Sequence, residues 1–75
     1  MRGTWQVLAS IENAEANRCV DIFIRGDGSF GFEEYRRDPE DAGRWTQVAY
    51  YAHRVYATRD EARAAAAKIV KWMAD

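Results

Sequence analysis

Residues 18–37 contain two runs of alternating hydrophobic side chains, separated by the tripeptide Gly26-Asp27-Gly28. A period of two is typical of β-strands, because successive side chains of a strand point to opposite faces of the sheet. A three-residue loop at the tripeptide, with a glycine in the left-handed region, places Ile22 opposite Phe32. A two-residue loop would place Ile22 opposite Glu33 on a mixed face. We therefore predict a β-hairpin in the first register, which gathers the hydrophobic side chains on one face.

A helix at the end of the chain is the other clear element. Thr58 and Glu61 have the spacing of a capping box, in which the threonine side chain accepts a hydrogen bond from the third helical amide. The hydrophobic stripe that follows has helical spacing and comprises Ala62, Ala65, Ala66, Ile69 and Met73, with Val70 and Trp72 at its edges. This pattern predicts an amphipathic helix over residues 58–74, whose small alanines allow close packing on a sheet.

The remaining segments have weaker patterns. Residues 45–51 read as a third strand after a turn at Asp38-Pro39-Glu40-Asp41, where proline suits a type I turn. The pattern leaves open which face of this third strand meets the helix. Residues 4–12 also alternate, with Trp5, Val7, Ala9 and Ile11 at every second position, so they indicate a further strand, and a short helix is the alternative.

Together these elements predict an α+β fold: a three- to four-stranded antiparallel sheet with one C-terminal amphipathic helix packed on one face. The 75 residues are expected to form a single domain, with an N-terminal segment at 1–17, antiparallel strands at 18–57 and the helix at 58–74. A domain of this size has a thin core. Its aromatic residues, 13% of the chain, must therefore supply much of the buried area.

The sequence contains few side chains of the kinds that serve in catalysis or bind metal ions. His53 is the only histidine, and without supporting partners it makes no nucleophile–base pair. Cys19 is the only cysteine, which excludes an intramolecular disulfide and leaves a zinc site without enough ligands. The mixed charges between Glu33 and Arg44 are typical of a solvated loop. We therefore predict that the protein is not an enzyme and has no catalytic residue, metal site or cofactor.

The stretch from Arg25 to Glu34 matches parts of two functional motifs. Arg25-Gly26-Asp27 spells the adhesion tripeptide, and from Asp27 onward the residues match the second half of a calcium-binding EF-hand loop. The first half of such a loop would place Phe23 and Arg25 at ligand positions, where neither side chain can bind calcium. Adhesion requires secretion, which nothing in the sequence indicates. Both matches are therefore interpreted as chance features of the hairpin turn.

Aromatic side chains remain for the sheet face that the helix does not cover. Phe23 and Tyr35 point to that face in the predicted hairpin register. One arrangement of the third strand adds Trp45 and Tyr51 to it, and the other arrangement adds Tyr50. A group of exposed aromatic side chains typically marks a contact surface. The alternative is that the N-terminal segment, with Trp5, folds over them.

These observations predict a small non-enzymatic protein-interaction module, whose partner is another protein or a second copy of the chain bound through the uncovered aromatic face. The candidate partner-binding residues are Phe23, Tyr35, Arg25, Arg36, Arg37, Trp45 and Tyr51. The alternative function is a nucleic-acid-binding sheet that uses arginine and aromatic side chains. A net charge of −1, from 11 basic and 12 acidic residues, argues against it because it creates no field that attracts a polyanion.

The expected location is the cytoplasm. No signal peptide is visible, and no hydrophobic run is long enough to span a membrane, so no membrane partner is predicted.

The run FGFEEYRRDPEDAGRW, followed by YY and by RVYATRDEARAAAAKIV, resembles small uncharacterised proteins of GC-rich proteobacteria. The resemblance covers residues 18–73. It implies a small bacterial cytoplasmic α+β domain. It implies no site residues, because that family has no established activity.

Overall fold

Four consecutive strands form one antiparallel sheet in the computed structural model, which describes residues 5–74 apart from the side chains of residues 41 and 74. The strands, in their order across the sheet, are β1 (Gln6–Glu12), β2 (Arg18–Ile24), β3 (Phe30–Arg37) and β4 (Trp45–Gln47). The helix α1 (Arg59–Ile69) packs against β2 and β3. The predicted α+β fold, an antiparallel sheet with one C-terminal helix on one face, is therefore confirmed.

The β2–β3 hairpin has the predicted register. Ile22 lies opposite Phe32, and the Arg25 amide donates a hydrogen bond to the Ser29 carbonyl at 2.8 Å, so three residues form the loop. Gly28 has a φ of +88°, a conformation that a residue without a Cβ adopts at little cost. The loop length therefore directs the hydrophobic side chains of both strands toward α1.

The hydrophobic core lies between α1 and the sheet. Its buried members are Val20, Ile22, Phe32, Ala62, Ala66 and Val70. Ala62 and Ala66 are one helical turn apart, and their small side chains let α1 lie close to the large side chains of β2 and β3.

The start of α1 has the predicted cap. The Thr58 hydroxyl accepts a hydrogen bond from the Glu61 amide at 3.1 Å. The Glu61 carboxylate accepts one from the Ala57 amide at 3.2 Å, one residue earlier than the standard capping box. The two side chains thus satisfy backbone donors at the beginning of the helix.

The end of the helix differs from the prediction. The sequence pattern continues to residue 74, but α1 ends at Ile69, Val70 is extended, and a 3₁₀ turn spans Lys71–Ala74. This change of direction brings the Trp72 indole to Glu34, whose carboxylate accepts its N–H at 3.0 Å. The chain therefore forms the hydrogen bond between Trp72 and Glu34 in place of a further turn of α-helix. No helix in the described part of the chain is long and apolar enough to cross a membrane.

β1 is a strand, which decides between the two alternatives for the N-terminal segment within the described residues. A bulge between Val7 and Ala9 shifts its register. Before the bulge Val7 pairs with Phe23, and after it Ala9 pairs with Ile22 on the face that meets α1. The simple alternation in the sequence therefore does not continue through the strand, because a bulge adds one residue and reverses the side-chain parity.

β4 is shorter than predicted. It ends at Gln47, whereas the sequence pattern continues to Tyr51. After the Val48 amide, which donates to the Glu34 carbonyl at 3.0 Å, the chain leaves the ladder. Tyr51 then packs into the core against Phe32, with ring centroids 5.3 Å apart. The question of which strand face meets the helix therefore does not apply to Tyr51, because this residue is outside the strand.

Candidate functional site

The sheet face that points away from α1 is where the sequence predicts a partner-binding surface, and we call it the outer face. Its members, identified from the strand register, are Val7, Ser10 and Glu12 on β1, Cys19, Asp21 and Phe23 on β2, Gly31, Glu33, Tyr35 and Arg37 on β3, and Trp45 and Gln47 on β4. The face is therefore mixed, with aromatic, acidic and basic side chains.

Phe23 is covered rather than available to a partner. It is 0% exposed, because Trp5 stacks on it with ring centroids 4.2 Å apart and an interplanar angle of 4°. The Arg25 guanidinium lies 5.0 Å from the centroid of the Phe23 ring and 5.5 Å from that of Trp5. The prediction of an uncovered aromatic face is wrong at this residue, since the N-terminal segment folds over it.

Gly31 lies opposite Phe23. Because residue 31 has no side chain, the Phe23 ring can lie directly over its backbone. A Cβ at residue 31 would lie 2.9 Å from the Phe23 ring and 2.8 Å from Arg25 Nη2. Gly31→Ala is therefore expected to cost about 1–3 kcal/mol of unfolding free energy through overpacking, although alanine normally improves a strand. Urea denaturation measures the loss. In a Phe23→Leu background the same change should cost clearly less, and an equal cost in both backgrounds would rule out the ring as its cause.

Arg25 is engaged within the fold. Its guanidinium donates to the Phe30 carbonyl at 3.1 Å, to the Ala52 carbonyl, and to the Arg54 carbonyl at 3.1 Å. Those contacts tie the segment after β4 to the hairpin. The adhesion tripeptide therefore has its cation turned toward the protein itself.

The other two arginines predicted to contact a partner also have internal partners. Arg36 forms an ion pair with Asp38 at 3.4 Å. The Arg37 guanidinium lies 4.5 Å from the centroid of the Trp45 ring and donates to the Ala16 carbonyl at 2.6 Å. Nucleic-acid binding stays a prediction, and these contacts do not support it, because each competes with a phosphate for the same guanidinium.

Asp27 stabilises the hairpin loop. Its Oδ1 accepts hydrogen bonds from the Ser29 amide at 3.0 Å and the Ser29 hydroxyl at 2.7 Å. These bonds, followed by the charge of Arg25, lower the pKa of the Asp27 carboxyl from its ordinary value of 3.8. In the stretch that matches half of an EF-hand loop, the Asp27 carboxylate thus accepts hydrogen bonds from Ser29 within the hairpin turn.

Ser29→Ala is expected to raise the pKa of Asp27 toward its ordinary value, because one of the two Ser29 bonds is lost. A pKa lowered by folding means that the ionised carboxylate favours the folded chain above the unfolded-state pKa. That contribution disappears as the pH falls through the folded-state pKa. Titration of the Asp27 carboxyl carbon by NMR measures the change. An unchanged pKa would show that the hydroxyl bond has no influence.

Two glutamates predicted to be solvated are buried instead. Glu33 is 2% exposed, and its carboxylate accepts hydrogen bonds from the amides of Tyr51 at 3.1 Å and Ala52 at 2.9 Å. Glu34 accepts the Trp72 indole N–H and forms an ion pair with Arg18 at 3.3 Å. The prediction of a solvated charged loop is wrong for both, because distant parts of the chain supply their hydrogen-bond donors.

Residues 48–57, which we call the β4–α1 loop, are held at their centre by two charged side chains. The Ala52 amide donates to Glu33, and the Ala52 carbonyl accepts from Arg25. The backbone amide and the backbone carbonyl of Ala52 are thus both hydrogen-bonded to charged side chains, which form stronger hydrogen bonds than neutral ones. The loop is therefore anchored to the sheet at Ala52.

The β4–α1 loop exposes hydrophobic side chains. Tyr50 is 66% exposed and Val55 is 68% exposed, and Val48 is also on the surface. The Tyr50 ring lies against His53, with ring centroids 5.5 Å apart. The predicted partner-binding residues include Tyr51, which is half-buried in the core, and omit Tyr50. The pair of consecutive tyrosines was the available signal, because neighbouring side chains of an extended segment point to opposite sides.

Tyr35 and Trp45 are the predicted partner-binding residues that the outer face brings together around a cavity. This cavity has a volume of about 370 Å³, and its lining residues are Ser10, Glu12, Cys19, Asp21, Tyr35 and Trp45. We call it the aromatic–acidic cleft. Cys19 and Asp21 are buried beneath it, and Asp21 Oδ1 accepts hydrogen bonds from the Ser10 hydroxyl at 2.8 Å and the Cys19 thiol at 3.5 Å.

Within residues 5–74, no group of three or more histidine, cysteine, aspartate or glutamate side chains is arranged to hold a metal ion. Comparison of the chain with protein-family models, with curated proteins and with solved structures found no match. The resemblance to small proteobacterial proteins therefore stays a prediction.

Proposed function

We propose that the protein is a small protein-interaction module that associates with a second copy of itself through the hydrophobic side chains of the β4–α1 loop. The observation that carries this proposal is the concentration of exposed Val48, Tyr50 and Val55 in one short loop. Tyrosine is enriched at protein interfaces, because its ring buries a large area while its hydroxyl tolerates water.

The anchoring of the loop supports this proposal. Glu33 binds the amide of Ala52, Arg25 binds its carbonyl, and His53 lies against the Tyr50 ring. A side chain that is already held in place loses less conformational entropy when a partner binds. The hydrophobic area that a partner covers on this loop therefore contributes more to affinity than the same area on a mobile loop would.

Charge favours a second copy as the partner. Between Val48 and Val55 the only charged residue is Arg54, counting His53 as neutral, and the whole chain has a net charge of −1. Two copies therefore repel each other weakly. A two-fold arrangement brings the same surface of both copies together, so that one Tyr50 meets the hydrophobic residues of the other loop.

Light scattering coupled to size-exclusion chromatography, over a wide range of protein concentration, tests the proposal. The native chain should approach the mass of a dimer as the concentration rises, and a double variant with Tyr50→Ser and Val55→Ser should stay monomeric. Val7→Ser is the matched control, because Val7 is an exposed hydrophobic residue on β1, the edge of the sheet opposite to β4. A native chain that is monomeric throughout, or a Val7 variant that dissociates equally, would contradict the proposal.

A further inference from the structure

β1 is an edge strand of the sheet and is longer than the edge strand at the other side. Among the described strands it pairs with β2 alone, at one end of the strand order. β1 has seven residues, whereas β4, at the other end, has three. We propose that the exposed edge of β1 binds an extended, basic segment of another protein as an additional antiparallel strand, a function that goes beyond self-association.

The pairing with β2 shows which backbone groups of β1 point outward. The Asn13 amide donates to the Arg18 carbonyl at 3.1 Å. Along an antiparallel pair of strands, hydrogen-bonded residue pairs alternate with non-hydrogen-bonded ones. The backbone groups of Ile11 therefore point toward β2, while those of Ser10 and Glu12 point away from the sheet. An added strand can donate to the carbonyls of these two residues and accept from their amides.

The regular part of β1 is the half that follows its bulge. The bulge lies between Val7 and Ala9, and a bulge at a sheet edge hinders the pairing of a further strand. From Ala9 to Glu12 the register with β2 is unbroken. The segment that binds here is therefore short and pairs with the second half of β1.

A groove beside this half of β1 can hold a side chain of the added strand. It has a volume of about 470 Å³ and lies between the end of β1, with Ile11, and the 3₁₀ turn, with Trp72 and Met73. Ile11 pairs with Val20 and packs against the core, so it lies on the face that meets α1. Residues directly opposite each other share a face, so the residue that pairs with Ile11 points to the groove side and should be hydrophobic.

The acidic side chains at this edge indicate the charge of the partner. Glu12 and Glu15 are both exposed and both line the groove. A lysine or arginine placed opposite Glu12 would form a cross-strand ion pair with it. A second copy of the chain would bring the same two carboxylates to the edge, and like charges across an interface disfavour binding. Charge therefore favours a basic segment of a different protein.

NMR titration of the ¹⁵N-labelled protein with the peptide acetyl-Ser-Val-Lys-Val-Thr-Val-Ser-amide tests the proposal. In the antiparallel register its lysine lies opposite Glu12, its central valine opposite Ile11 and its threonine opposite Ser10. The amides of Ser10 and Glu12 are expected to shift and to exchange more slowly with solvent, with saturation in the millimolar range that a short peptide supports. Absent shifts at these two amides would overturn the proposal.

Two peptides that differ only in the place of one N-methyl group distinguish strand pairing from other modes of contact. The threonine amide of the peptide donates to the Ser10 carbonyl in this register, so its methylation should weaken binding about tenfold. The amide of the central valine points away from β1, and its methylation should leave the affinity within about twofold. Equal effects of the two methyl groups would overturn the proposal.

A charge exchange across the added pair tests the basic character of the partner. Glu12→Lys should weaken binding of the lysine peptide about two- to fivefold. A peptide with glutamate in place of the lysine should bind this variant more tightly than it binds the native chain. If Glu12→Lys changes neither affinity, the segment is not recognised by its charge and the proposal is wrong.

The Tyr50→Ser, Val55→Ser variant separates this site from self-association. Both substitutions lie outside β1 and the groove, so the lysine peptide should bind the variant as tightly as it binds the native chain. Loss of peptide binding in this variant would contradict a site at β1. Shifts of the Ser10 and Glu12 amides with protein concentration alone, in the same variant without peptide, would assign the edge to a second copy and would also overturn the proposal.

Discussion

Phe32→Ala is expected to lower the free energy of unfolding by about 3–5 kcal/mol. Phe32 is fully buried at the centre of the sheet. The rings of Tyr51 and Tyr56 lie 5.3 Å and 6.1 Å from its own, measured between centroids. Removal of the ring loses its hydrophobic burial and leaves a cavity that the surrounding strands can fill only in part. Because small domains have total stabilities of about 5–15 kcal/mol, this one change removes a large share.

Equilibrium urea denaturation, followed by circular dichroism, measures the effect of Phe32→Ala. Tyr50→Ala is the matched control, since it removes an exposed aromatic ring. At a protein concentration at which the native chain is monomeric, it should change the stability by less than about 0.5 kcal/mol. If the Phe32→Ala chain is unfolded without urea, Phe32→Leu should still fold with most of its stability. Similar costs for the alanine variants of residues 32 and 50 would show that the core is wrongly assigned.

Glu33→Ala is expected to cost about 2–4 kcal/mol, the second-largest effect. The change removes the acceptor of two hydrogen bonds and leaves the amides of Tyr51 and Ala52 without it. A donor that is buried without a partner costs about 1–3 kcal/mol. The hydrogen bond from Arg25 to the Ala52 carbonyl remains. The variant should therefore lose only the hydrogen bonds that the amides of Tyr51 and Ala52 donate to Glu33.

Hydrogen exchange of individual amides, combined with urea denaturation, measures the effect of Glu33→Ala. The amides of Tyr51 and Ala52 should exchange much faster, because the β4–α1 loop opens more often. Glu40→Ala, which removes an exposed carboxylate, is the control and should stay within about 0.5 kcal/mol of the native chain. Equal stabilities of the two variants would contradict the role assigned to Glu33. Self-association should also weaken in Glu33→Ala, even though Tyr50 and Val55 are retained.

The elements that could be predicted from the sequence depend on neighbouring residues. The hairpin register follows from the loop length and from the alternation on both sides of it, so Ile22 is correctly placed opposite Phe32. The helix start follows from Thr58 and Glu61, which lie within one turn of each other. In both cases the interacting groups are close in sequence, and their pattern therefore indicates the structure directly.

The errors occur where the partners are distant in sequence. The bulge in β1 reverses the side-chain parity after Val7 and leaves no mark in the alternation. The helix end depends on Trp72 reaching Glu34, which lies 38 residues earlier. A periodic pattern reports which residues are hydrophobic, and it contains no information on which remote group will satisfy a donor or an acceptor.

The candidate sites show the same division. Alternation correctly directs Tyr35 away from α1, and the outer face brings it beside Trp45 in the cleft. The acidic members of the cleft, Glu12 and Asp21, escaped prediction because they come from β1 and β2 and meet Trp45 only when the sheet forms.

The sequence by itself determined the antiparallel hairpin, the capped helix and the α+β class, because each follows from local geometry and hydrophobic period. Only the tertiary structure decided that Trp5 covers Phe23, that Glu33 is buried against the β4–α1 loop, and that Tyr50 is exposed while Tyr51 is not. The physical reason is that burial and hydrogen-bond partnership are properties of the assembled chain. A side chain's own position in a strand establishes the face to which it points, and the rest of the fold establishes what covers that face.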